Sequence, residues 1–113
     1  MRQGDVAIAT IRPPRGEVKV RPAVVVPADA MLVPGAVVRL AGISTSYRPD
    51  DEFVVPLPFR PDGNIYTKLR RDSAACAELA DNADFADITA TGGYVSKADR
   101  LRPLELMIKA GTL

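Results

Sequence analysis

Histidine and tryptophan are absent from the 113 residues, and cysteine occurs once, as Cys76. Without imidazole the chain lacks the commonest metal ligand, the usual neutral-pH general base and every Ser/His/Asp or Cys/His triad. An enzyme built on this sequence works without imidazole. A single cysteine cannot close an intrachain disulfide, and with no second cysteine or histidine nearby Cys76 reads as a small buried residue and not as a nucleophile. Long apolar runs are missing too: stretches such as Ala23-Val24-Val25-Val26 fall far short of the roughly 20 residues that a membrane helix needs. The N-terminus shows no charged start leading into an apolar run and a small-residue cleavage site, so a cytoplasmic chain with no membrane association is expected. Charge bias is also lacking. Fifteen Lys and Arg stand against fourteen Asp and Glu, a formal net charge of +1, so an electrostatic partner must be met by a local patch.

Hydrophobic residues make up 47% of the chain and charged residues 26%, the balance of one folded core, and 113 residues suffice for a single domain spanning 1–113. Ten prolines punctuate short β-branched runs through the first two thirds, which is the pattern of a small β core. Val6 to Ile11 reads as a strand, stopped by the basic loop Arg12-Pro13-Pro14-Arg15-Gly16. Arg21-Pro22-Ala23-Val24-Val25-Val26-Pro27 has the continuous apolar character of a strand buried on both faces. Ala36 to Ile43 follows the Pro34-Gly35 turn, with Gly42 permitting close approach of a backbone or a ligand, and runs into Ser44-Thr45-Ser46. Glu52 to Leu57 and Ile65 to Leu69 are further candidate strands, separated by the turn signal Pro61-Asp62-Gly63-Asn64.

Beyond Asp72 the alanines of Ser73 to Ala80 favour a helix by propensity. Gly92-Gly93 turns the chain, Tyr94-Val95 is a candidate brief strand, and Ser96 is placed to cap a last helix. In that helix Leu101, Leu104, Met107 and Ile108 form an apolar stripe, and Gly111 sits at the expected C-terminus.

Taken in order, Gly4-Asp5-Val6, Arg21-Pro22-Ala23-Val24-Val25-Val26, Leu40 to Ser46, Glu52 to Leu57, Thr67-Lys68-Leu69 before Asp72-Ser73, and Gly93 to Ser96 ahead of a helix resemble the MazF/PemK family of toxins from type II toxin-antitoxin systems. The resemblance covers most of the chain. It implies a mainly β (α+β) fold, a small SH3-like barrel with a C-terminal helix, and it turns Ser73 to Leu79 into a strand against its propensity. It also implies a homodimer that inhibits translation and growth by cutting single-stranded RNA at selected sequences, without metal or cofactor. The products carry 2′,3′-cyclic phosphate and 5′-hydroxyl ends. A cognate antitoxin with a flexible tail is the implied protein partner.

Such a reaction needs a proton removed from the 2′-hydroxyl, charge stabilised at phosphorus, and a proton for the leaving 5′-oxygen. By position Arg21 matches the family's catalytic arginine, whose fork of donors suits two phosphate oxygens. Its other reading is the polar cap of a buried strand. Ser44 and Thr45 match the family's hydroxyl position, and the register leaves open which of them bonds the scissile phosphate. Glu17, the only acid in its loop, stands either as proton acceptor or as a salt-bridge partner of Arg21. Arg12, Arg15 and Lys19 in the loop before Arg21, with Ser46 and Arg48 after the hydroxyls, form the candidate RNA-binding set. Tyr47, Tyr66 and Phe59 are available either for base stacking or for the core and its rim. Asp50-Asp51-Glu52 reads as solvated, since neighbouring side chains of an extended segment point to opposite faces.

One departure opens a second reading. Where the family commonly carries a Gln-x-Arg-Thr type segment, Asp81 to Asp87 here supplies acids, and the second arginine is missing. A catalytically silent module that binds an antitoxin-like partner or nucleic acid is therefore the alternative, and a non-catalytic SH3-like adaptor is a third.

Overall fold

The computed structural model describes residues 1–14 and 16–113. Six strands make one antiparallel sheet: β1 (Asp5–Ile11), β2 (Lys19–Val25), β3 (Val37–Ser44), β4 (Val54–Leu57), β5 (Ser73–Asp84) and β6 (Thr89–Tyr94), in the order β4-β5-β3-β2-β1-β6. Helix α1 (Arg102–Ala110) closes the chain. The sheet is curled into a half-barrel. Although β2 and β3 lie between β1 and β5, the amide of Arg12, just past β1, donates to Asp81 Oδ2 on β5 at 2.7 Å. No helix among the described residues is long and apolar enough to cross a membrane.

Period-2 alternation along β2 builds the core from both sides of the sheet. Ala23 and Val25 pack with Ala7, Ala9, Ile11, Val38 and Leu40, whereas Val24 packs with Val6, Ile43, Val55 and Leu57. The expectation of a strand buried on both faces therefore holds for Ala23 to Val25, each fully buried. A third cluster, Val26, Ala41, Ala77 and Ala80, is covered by Met107 of α1.

The segment from Ser73 is a strand, and it runs beyond Leu79 to Asp84. Pairing with β4 on one edge and β3 on the other outweighs the helix preference of its alanines, whose small side chains allow α1 to lie close. Ile65 to Leu69 is not a strand. Its Thr67 hydroxyl donates to the Pro58 carbonyl at 2.6 Å and accepts from the Leu69 amide, and Lys68 takes a left-handed φ of 62°, so local bonds replace a ladder.

The C-terminal helix begins at Arg102, and Ser96 caps the turn before it by accepting from the Asp99 amide. Its buried face runs through Pro103 and Met107 with Leu104, Leu106 and Ala110 beside them, while Leu101 and Ile108 are exposed. One residue on a helix turns the side chain by about 100°, so Met107 and Ile108 cannot both face the sheet. At the C-terminus Gly111, at φ 75°, donates to the Ile108 carbonyl while Thr112 donates to that of Met107, the paired bonds of a Schellman motif.

Candidate functional site

The β2–β3 ladder starts at Ala23, opposite Gly42, because Pro22 supplies no amide to extend it. Before that point Lys19 to Arg21 pair only with β1, while β3 continues along β5 to Ser44. The strands diverge, and a groove of about 930 Å³ opens between them. Its lining includes Glu17, Lys19, Arg21, Ser44, Thr45, Ser46 and Arg48. Seven of the nine residues singled out in the sequence thus share one groove.

Gly42 shapes its floor. The β3–β5 register jumps from Ala41 opposite Ala80 to Ile43 opposite Ala75, so Cys76 to Leu79 bulge across the single residue Gly42. A Cβ at Gly42 would lie 2.9 Å from both the Cβ and the carbonyl oxygen of Leu79, and 3.3 Å from Arg21 Cδ. The missing side chain therefore lets the bulge close and lets the stem of Arg21 lie across the strand.

Arg21 is 8% exposed, and its Nε is buried without a hydrogen-bond partner. No ion pair among the described residues includes it. A buried charge without a partner carries a large desolvation cost, which an oxyanion bound in the groove would offset. Ser44 is half-buried on the adjoining strand, and its Oγ accepts from the Ser46 amide at 3.0 Å. That bond leaves the hydroxyl proton free to point into the groove. Thr45 and Ser46 are exposed.

The remaining candidates divide. Lys19 and Glu17 are exposed on the groove wall, and Arg48 is exposed with Asp50 at 3.4 Å. Arg12 is not brought in. The curl of the sheet brings it to the C-terminal part of β5, where it lines a separate recess with Asp84 and Asp87. The segment Asp81 to Asp87, which carries acids where the family's second arginine is missing, lies in that same region away from the groove. Arg15 lies outside the described residues.

Sequence reasoning missed Glu78, exposed on the bulge of β5, and misread Asp51, half-buried on the groove wall. Ser73 to Ala77 are buried without alternation, so no period-2 pattern flagged the turn of Glu78 toward the groove. With these two and Glu17, three acids face Lys19, Arg21 and Arg48 among the described residues of the groove.

Of the aromatic candidates only Tyr47 reaches the groove. Its hydroxyl donates to Asp72 Oδ1 at 2.6 Å, a bond to the carboxylate that raises its pKa, with desolvation adding to the effect. Tyr66 packs on Tyr94 at 5.5 Å between ring centroids, and Phe59 stands apart from the groove. Cys76 also lines it and is largely buried. Burial first, then the Asp51 charge, pushes its thiol up to about 11, against a smaller lowering from the Ser44 backbone and Arg21. Such a thiol is not a nucleophile at neutral pH. Among the described residues, no three His, Cys, Asp or Glu side chains are placed to hold a metal ion. Neither a scan against protein-family models nor a search of curated proteins returns a match for this chain.

Proposed function

We propose that the chain is a toxin of the MazF/PemK type, an endoribonuclease that cuts single-stranded RNA at selected sequences without metal. The observation that carries this reading is Arg21, a buried guanidinium with no partner for its Nε, set beside hydroxyls on the next strand at an open groove. In the proposed step the ribose 2′-oxygen bonds to the adjacent phosphorus and the bond to the 5′-oxygen breaks, giving a cyclic phosphate and a 5′-hydroxyl. Arg21 donates to the phosphoryl oxygens as negative charge grows, and Ser44 or Thr45 adds a second donor. Glu17 accepts the 2′-hydroxyl proton, and water returns one to the 5′-oxygen. Lys19 and Arg48 hold neighbouring phosphates, at an affinity that falls with salt. Homodimerisation, and a cognate antitoxin whose flexible tail covers the groove, belong to the same proposal.

The acids Glu17, Asp51 and Glu78 on the groove favour one rival, a catalytically silent module of the same fold that binds an antitoxin-like partner or nucleic acid. Incubation of the purified chain with a long unstructured RNA in EDTA separates the two. Discrete cuts ending in 2′,3′-cyclic phosphate, lost in Arg21→Ala, are expected of the nuclease. Intact RNA from folded protein would favour the silent module.

A further inference from the structure

Beside the main groove lies a recess of about 480 Å³ lined by Arg48, Asp50, Asp51, Glu52, Phe53 and Glu78. Arg48, Asp51, Phe53 and Glu78 also line the main groove with Arg21, so the recess adjoins the groove through shared walls. Its acids divide by partner. Asp50 has Arg48 at 3.4 Å and Glu52 has Lys109 at 3.5 Å, whereas no ion pair among the described residues includes Asp51 or Glu78. Asp51 is oriented. Its Oδ1 accepts from the Phe53 amide at 2.8 Å, which turns the other carboxylate oxygen free of that bond. Glu78 projects from the bulge that crosses Gly42.

Two carboxylates without cations beside a phosphate site oppose a ligand that offers only phosphates. They suit one that also brings N–H donors. The independent pointer to an anionic ligand is Arg21, 8% exposed, with Nε unpartnered, and lining the same groove. A nucleotide satisfies both ends. Among the bases only guanine sets two donors side by side on its Watson–Crick edge, N1–H and the N2 amine, and these match the two oxygens of one carboxylate. Adenine and cytosine pair one amine with a ring acceptor, and uracil flanks its single N–H with carbonyls. Half-buried Phe53 supplies an apolar surface for the base plane.

We propose that this recess is a nucleobase subsite in which Glu78, with Asp51 beside it, reads the Watson–Crick edge of a guanine neighbouring the phosphate held by Arg21. The inference rests on the reading of the chain as an RNA-binding protein. It is tested by fluorescence anisotropy on the full chain with 2′-fluoro octanucleotides, which cannot cyclise: all-uracil, and the same strand with one central guanine, adenine or cytosine. The guanine strand is expected to bind about tenfold more tightly than the others, the order of discrimination given by one bidentate contact. Glu78→Ala removes that preference while binding all-uracil RNA at least as well as the parent, and Arg21→Ala weakens all four strands. Equal binding of the four strands, or a guanine preference that survives in Glu78→Ala, overturns the subsite and leaves RNA binding standing. No binding of any strand, or binding indifferent to Arg21→Ala, overturns the RNA reading and the subsite with it.

Discussion

Two arginines on neighbouring strands, Arg21 of β2 and Arg39 of β3, carry the same charge into the same sheet and end differently. Both have a buried Nε without a partner. The terminal nitrogens of Arg39 are taken up: Nη1 donates to Asn82 Oδ1 at 3.2 Å and Nη2 to the Thr112 carbonyl. It ties the chain's last residues to β3 and β5. Arg21 has no such ties among the described residues and faces a groove. The difference teaches that the sheet ties one arginine into its own cohesion and leaves the other untied at a groove, and that partners, not burial, tell them apart.

Arg21→Ala is the strongest way to sharpen that contrast. Cleavage is expected to fall by about 10²–10³, the range for loss of one preorganised donor at a developing oxyanion. Stability should hold or rise, because removing an unpartnered buried charge relieves a cost. Parallel cyclic-phosphate assays and denaturant melts check both halves, and a large loss of stability would mean that Arg21 is structural after all.

Gly42→Ala strikes the point where the groove depends on the fold. The added Cβ would sit 2.9 Å from the Leu79 carbonyl oxygen, which is backbone and cannot swing away, and 3.3 Å from Arg21 Cδ. A loss of about 1–3 kcal/mol is expected, in the range of overpacking. Because Arg21 is pushed as well, activity should fall further than the unfolded fraction explains. Denaturant midpoints read against specific activity test this, and unchanged stability would show that the bulge relaxes freely.

Arg39→Met completes the comparison with the opposite signature. It removes the bonds to Asn82 and the Thr112 carbonyl, at a cost of about 2 kcal/mol for hydrogen bonds from a charged donor, while RNA cleavage per folded molecule stays at the parent level. A variant that keeps its stability but loses activity would reverse the roles assigned to the two arginines.

Local chemistry made part of this legible in advance. The β-branched runs bounded by proline and glycine located β1, β2 and β3, and Arg21 stood out beside Pro22. What escaped was set by distant pairing. The alanine-rich stretch from Ser73 is a strand because two neighbours hold it, and no feature of its own composition says so. Glu78 faces the groove only because the β3–β5 register jumps across Gly42. Arg12, beside Arg15 and Lys19 in sequence terms, is carried away by the curl that joins its amide to Asp81. Groove-facing residues were readable where one strand supplies them and hidden where the meeting of two strands does.

The smallest effect concerns the groove's thiol. Burial and the Asp51 charge raise Cys76 from an ordinary value of 9.0 to about 11, so the folded state favours the protonated thiol. Between those values the unfolded chain has released a proton that the folded chain retains, and stability therefore falls as pH rises from about 9 toward about 11. The informative quantity is the difference between the parent and Cys76→Ala, in which contributions common to both cancel. Alanine costs some packing at every pH, and the gap between the two melting temperatures should narrow as pH climbs through this window. A gap that stays constant would mean that the thiol is no harder to ionise in the groove than in the unfolded chain, and that water reaches the floor beneath Arg21 more freely than its burial implies.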